Sequence, residues 1–265
     1  MRKRIVLLFI SLVVIMREEK KIISDFAIKL ESALRPLYQE LINSVNHIPG
    51  KKDTFAVQWG RYYPNINNDG LLFVGRATNE WHTTEEGIDV LFGDTRSGST
   101  IFNCDDQMEW VYHCWNGEKY AIKRSAFWRV IRSVSKSFYP EDELNHVAWS
   151  NVCKIQLDSG ENPSNKMFDC QIHVCQKIFK TEIDVLSPKI VIMFIGNYGK
   201  REILSYMNNG SMPKAIETRI WNKYNAEVFI IDKTIYICTE HPMCKNECDH
   251  ANCLISLIKE YNGLS

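Results

Sequence analysis

Apolar positions along the chain fall into two periods. In the first third, Ile22, Ile23, Phe26, Leu30, Leu34, Leu37 and Leu41 recur at steps of mostly three or four, which predicts a helix over 17–46. Pro36 lies inside it and is expected to kink or split it. The same spacing returns over 124–138, with Phe127, Trp128, Val130, Ile131, Val134 and Phe138 on one stripe, and again over 167–186. Short continuous apolar runs stand between these segments at Leu71 to Val74 and Ile190 to Ile195, and Val147 to Val152, with Ser150 and Asn151 inside it, reads as a further short strand. Runs of that length, closed by Gly75 and Gly196, read as strands buried on both faces. Two further runs, Val228 to Ile231 and Thr234 to Cys238, are separated only by Asp232-Lys233. Helices are expected from 198 to 207 and from about Glu247 to Tyr261.

Strands alternating with helices predict an α/β protein, a three-layer sandwich around a mainly parallel central sheet. No repeat or low-complexity linker interrupts residues 17–265, which are taken as a single domain. Residues 46–70 and 76–120 carry the turn signals and irregular polar and aromatic stretches expected of loops. In open α/β sheets ligands bind outside the carboxyl ends of the strands. Three segments are therefore expected to meet: Gly75 to His82, Asn151 to Lys154, and Glu240 to Asn246.

Charge narrows what such a site can bind. The 265 residues hold 32 basic and 32 acidic side chains, a formal net charge of zero. A protein that tracks a nucleic acid backbone over a long footprint needs a basic excess. A short footprint needs only a local cluster, and Arg76, Lys154, Lys200, Arg201 and Lys245 are the candidates near the expected strand ends.

At the amino terminus, residues 1–16 run Met-Arg-Lys-Arg and then 12 largely apolar residues from Ile5 to Met16, too few to span a bilayer as a helix. Three readings stand: a start placed upstream of a true start at Met16, an export signal or anchor without a small-residue cleavage site, or a buried terminal helix. Starting at Met16 removes Arg2, Lys3 and Arg4 and leaves 29 basic against 32 acidic residues, a net of −3. Nine cysteines without regular spacing do not form a disulfide framework. Several sit in apolar runs as small buried hydrophobes, which points to a cytoplasmic protein with no membrane segment in the mature domain.

The strand ends carry motifs in a particular order. The first strand ends in Gly75-Arg76-Ala77-Thr78-Asn79, the second in Ser150-Asn151-Val152-Cys153-Lys154, and the last in Glu240-His241-Pro242, with a Pro188-led strand between. Over roughly residues 70–255 this order resembles the uracil-DNA glycosylase superfamily. That family carries a G-x-[DNA]-P-[YG] first motif, an asparagine on a middle strand in an N-x-x-K context, and a late H-P-S motif.

The resemblance implies a uracil-DNA glycosylase-like fold and a nucleobase pocket, with DNA or a nucleotide as partner and no cofactor or metal. It implies that Asn151 reads the base edge, since an amide donates and accepts at once. It implies that His241 stabilises negative charge on the departing base. Gly75, Arg76, Ala77 and Thr78 line the pocket, Asn79 or Glu80 holds the water, Lys154 binds substrate, and Trp81, Phe92 or Phe102 stacks on the base.

The chain departs from the pattern at Ala77, where the family often has Asp or Asn, at Thr78 in place of Pro, and at Met243 in place of Ser. These departures keep a second function open, a non-catalytic member that binds a nucleotide or nucleic acid. No residue matches the family's usual wedge that fills a vacated stack, and Met243 is a candidate for that part. A third reading comes from Cys238, His241, Cys244, Cys248, His250 and Cys253, six metal-type ligands within 16 residues. Their spacings match no standard zinc ribbon, and reduced structural or surface thiols are the competing account.

Overall fold

Uninterrupted apolar runs lie where both faces of a sheet are covered, and the centre of this fold is built from them. A computed structural model describes residues 27–63, 70–77, 82–83, 88, 91, 107–117, 121–157 and 162–263. Strands β3 (Leu71–Gly75), β5 (Val147–Asn151), β7 (Ile190–Phe194) and β10 (Thr234–Thr239) run parallel in the spatial order β5-β3-β7-β10. All but the first residue of β10 are buried in these four strands. The register pairs Gly75 with Asn151 and Phe194 with Thr239.

Antiparallel strands finish the sheet on both sides. On one side, β2 (Gln58–Trp59) pairs with β5; on the other, β9 (Tyr224–Ile231) pairs with β10, and β8 (Glu217–Trp221) with β9. The sheet is therefore parallel at its centre and antiparallel at its edges. A separate small sheet joins β4 (His82–Thr83), β1 (Lys52–Thr54) and β6 (Ile155–Leu157).

Helices cover both faces. Helix α1 (27–45), α4 (Asn165–Leu186) and α5 (Lys200–Met207) pack on one face, over Leu72, Val74, Val191 and Met193. The chain stays helical through Pro36, held by Leu34, Tyr38 and Leu41 in the core. On the other face, α3 (Ala126–Lys136) and α6 (Glu247–Asn262), with the short α2 (Glu109–His113), pack over Leu71, Phe73, Ile192 and Phe194. The caps are encoded locally. Ser164 accepts from the Met167 amide, Asn246 accepts from the Cys248 and Asp249 amides, and Ser187 ends α4 in the left-handed region just before Pro188.

Two successive crossovers run in opposite directions on opposite faces: β3 to β5 through α3, then β5 to β7 through α4. This keeps both connections of one hand. The connection leaving β3 passes over one face and the connection leaving β7 passes over the other, so the two connections diverge at the carboxyl ends of these paired strands. The crevice between Gly75 and Gly196 is thus the place where ligands bind in folds of this kind.

Candidate functional site

The β3, β5 and β10 ends meet at this crevice, and alternation along each strand decides which side chains enter it. Asn151 shares the parity of Val147 and Trp149 and so turns to the α3 face, where it is buried. Its neighbour across the ladder is Gly75. A side chain at position 75 would collide with Asn151 Oδ1, and the Phe127 ring would lie 3.5 Å from the added carbon. Glycine is therefore required for Asn151 to close on the end of β3, with the Phe127 ring in ordinary contact beside it. Asn151 Nδ2 is buried and has no hydrogen-bond partner among the described residues. A buried amide donor left unpaired costs about 1–3 kcal/mol, which a ligand acceptor would offset.

His241 arrives from the end of β10 on the same face. Its ring lies parallel to Phe127, with centroids 6.0 Å apart and planes within 9°. The Met243 amide donates to Nδ1 at 3.3 Å. A neutral imidazole that accepts at Nδ1 carries its proton on Nε2. Burial, with the Arg76 and Lys245 cations nearby, pushes the imidazole down to about 4, so it is neutral near pH 7. The ring is thus a donor without being a cation.

Arg76 and Glu240 close the other side of the crevice. Arg76 Nε donates to the Ile195 carbonyl at 3.1 Å, and its guanidinium carbon lies 6.0 Å from the Tyr198 ring centroid. Glu240 lays its carboxylate over Gly196, which sits at φ 58°. A carbon added at Gly196 would meet Glu240 Oε2 at 3.1 Å and Oε1 at 3.2 Å, so backbone conformation and close approach both call for glycine.

Of the expected site residues, the fold brings together Gly75, Arg76, Asn151 and His241. Ala77 is half-buried and packs against the α4-side core. Thr78, Asn79, Glu80, Trp81, Phe92 and Phe102 lie outside the described residues, as do residues 1–16.

Lys154 requires a correction, because its side chain is fully buried and does not reach the crevice. Nζ lies 2.8 and 2.9 Å from the two Glu182 oxygens and 2.6 Å from Ser150 Oγ, on the α4 face. Gln171 completes the network by accepting from the Lys154 and Ile155 amides. The expected basic cluster shrinks accordingly. Lys200 pairs with Glu227 at 2.5 Å. Arg76 and Lys245 are the two cations that act on His241.

Two residues of the crevice escape sequence reasoning. Phe127 sits on an amphipathic helix, where periodicity assigns it to the core; it does pack on Trp128, Trp149 and Phe194, yet it also meets His241. Glu240 adjoins the late motif but gains meaning only from Gly196, 44 positions away in sequence.

The carboxyl-terminal cysteines and histidines do not converge. Cys238 is buried, Cys244 and Cys248 are exposed, and His250 stacks on Trp221 at 3.9 Å with Nε2 3.1 Å from Thr239 Oγ1. Among the described residues, no group of three or more His, Cys, Asp or Glu side chains could hold a metal ion. Nor is any described helix long and apolar enough to cross a membrane.

No protein-family model matches the chain, and no curated protein matches it.

Proposed function

We propose that this crevice binds a nucleobase and that the chain hydrolyses its N-glycosidic bond, in the manner of a uracil-DNA glycosylase-like enzyme. The observation that carries the reading is the pairing, on one face of the sheet, of a buried amide with an unpartnered donor and a neutral imidazole whose proton is on Nε2.

In this reading the target base is taken out of its stack into the crevice. Asn151 donates and accepts along the base edge. As the glycosidic bond breaks, its electrons pass into the base, and His241 Nε2–H donates to the carbonyl oxygen where negative charge gathers. Water adds at the sugar carbon, and its proton passes through the Glu240 carboxylate to the departing base. Glu240 supplies the acid that Ala77 lacks. Met243, 63% exposed beside His241, would enter a vacated stack in this reading.

A second reading, a nucleotide-binding member without catalysis, is favoured by one specific observation. Lys154 and Lys200 are both consumed by internal carboxylates, which leaves a small basic footprint for a DNA backbone.

The test is incubation with single- and double-stranded DNA carrying uracil, hypoxanthine or a thymine mismatch, and with free deoxyuridine nucleotides. Alkali then cleaves abasic sites in the DNA, while chromatography detects base released from the nucleotides. Strand breaks that are lost in Asn151→Ala and His241→Ala are expected. Binding of the nucleotides without base release supports the second reading, and neither release nor binding at excess protein contradicts both.

A further inference from the structure

Charge is even over the whole chain but not along it. Residues 119–140 hold six basic side chains and no acidic one. Three of the six, Arg129, Arg132 and Lys136, lie on α3 with Ser133 between them. They recur at steps of three and four, opposite the buried Phe127, Val130, Ile131 and Val134, and so share the outward stripe of the helix. Together with Trp115, which follows α2, these four side chains line a groove of about 270 Å³.

The groove is arranged around Arg132. Its guanidinium carbon lies 4.3 Å from the Trp115 ring centroid, and Nε donates to Glu143, whose carboxylate is buried. The ring on one side and the carboxylate at Nε hold the guanidinium in place. Its two terminal nitrogens have no hydrogen-bond partner among the described residues. Arg129 differs, because Glu247 accepts from Nε at 2.7 Å and from Nη2 at 2.5 Å, and the Lys123 carbonyl accepts from Nη1 at 2.6 Å. It closes one end of the groove and offers no free donor. Lys123 stands at that end, with Nζ donating to the neutral Asn116 Oδ1 at 3.0 Å. Ser133 and Lys136 are exposed at the other end. Glu143 and Glu247 thus balance the two arginines, while Lys123 and Lys136 remain as excess positive charge.

The position of α3 connects the groove to the crevice. The helix joins the parallel strands β3 and β5, so its amino end lies by their carboxyl ends, where Phe127 meets His241. At 1.5 Å per residue, Arg132 and Lys136 lie roughly 8 and 14 Å further along the axis. A duplex strand advances about 3.4 Å per nucleotide, so the groove stands about two to four nucleotides from the crevice.

We propose that this groove holds backbone phosphates of the DNA strand whose base enters the crevice, an inference that rests on the nucleobase reading. Arg132 presents its two terminal nitrogens to one phosphate, Ser133 donates beside it, and Lys123 and Lys136 supply charge at the two ends. Unneutralised cations at both ends suit a row of phosphates and not a single one. A short local footprint of this kind is compatible with zero net charge over the chain.

Fluorescence anisotropy of the full chain with a labelled single-stranded uracil oligonucleotide, repeated over a salt series, tests this. Ser133→Glu is expected to weaken binding at least about tenfold, and Lys136→Gln to lower the slope of log affinity against log salt by about 0.7. Both positions are exposed, and circular dichroism melting confirms that the variants fold. Deoxyuridine monophosphate, used as the small competitor, is expected to lose far less affinity than the oligonucleotide in Ser133→Glu. Equal loss for the two overturns the backbone site in favour of a site for a free phosphate group. Oligonucleotide binding that needs Lys136 but not Asn151 supports the groove and contradicts the crevice reading. Binding that needs Asn151 but is unchanged in affinity and salt slope by both groove substitutions overturns the groove alone. A parent chain that does not bind the oligonucleotide also overturns the proposal.

Discussion

Two polar clusters leave the end of β5 only three residues apart, and they are opposites. On the α4 face Lys154, Glu182, Ser150 and Gln171 form a buried network in which each polar side chain has a partner inside the fold. On the α3 face Asn151 is just as buried, yet its amide nitrogen meets no acceptor among the described residues. The first cluster is closed and the second is open. A closed buried network specifies the packing of the strand on its helix, whereas a buried donor left unpaired at a strand end is a group waiting for a ligand. The closed cluster should therefore control stability, and the open one binding.

The largest effect is expected where the closed cluster is broken from one side. Lys154→Met leaves the Glu182 carboxylate buried and uncompensated, and should cost about 3–5 kcal/mol in urea unfolding. Lys154→Met with Glu182→Leu should recover most of that loss, because both charges leave together. A single substitution costing under about 1 kcal/mol would mean that the network is not closed.

Next in size is the open cluster. Asn151→Ala should reduce base release by about 100-fold or more, as loss of a preorganised donor does. Its stability should stay within about 1 kcal/mol of the parent, since the substitution removes an unsatisfied group. A large loss of stability without a loss of release would reverse the comparison.

Gly75→Ala sharpens it from the neighbouring strand. The added methyl displaces Asn151, and the expected cost is about 1–3 kcal/mol of overpacking together with at least about tenfold lower base release. Thermal melting and the release assay check the two parts separately.

The smallest effect is one of pH. Burial holds His241 down at about 4 and His250 at about 3, both below the ordinary 6.5. The unfolded chain takes up protons on these rings below about pH 6.5, and the folded chain does so only near the lowered values. Their contribution to stability is therefore present above pH 6.5 and is lost progressively as pH falls towards 4 and 3. The urea midpoint should be lower at pH 5 than at pH 7, and less so in a His250→Phe variant. Equal midpoints at the two pH values would contradict the neutral, buried state of both rings.

Much of the frame was legible in the sequence because it rests on local signals. Leu71–Gly75 and Ile190–Phe194 are strands where continuous apolar runs stand, Val147–Asn151 is a strand that opens on the apolar Val147, Ala148 and Trp149, and Pro188 and Asn246 sit at the helix boundaries they encode. Strand β8 was not legible, since Glu217, Thr218 and Arg219 carry no hydrophobic run and gain their place from β9 and α6. Strands β1 and β2 were missed for a related reason: they are two or three residues long, and the polar side chains of Asp53, Thr54 and Gln58 are buried by context.

In the site, Asn151 and His241 could be named because motif order marks them. The misplacement of Lys154 follows from the same order, because spacing along a strand does not say which face a long side chain takes once a buried glutamate stands opposite. Phe127 and Glu240 needed three-dimensional neighbours, His241 for one and Gly196 for the other.

The central claim, that the open donor of Asn151 reads a nucleobase, is tested most directly by equilibrium binding. Free uracil, thymine, cytosine and hypoxanthine are titrated into the full chain and into Asn151→Ala, with heat or intrinsic fluorescence as the signal. The account predicts saturable binding of at least one base by the parent chain and a loss of about tenfold or more in Asn151→Ala, the cost of one buried hydrogen bond to a ligand. Equal affinity in the two proteins, or no binding of any base to the parent chain, would contradict it.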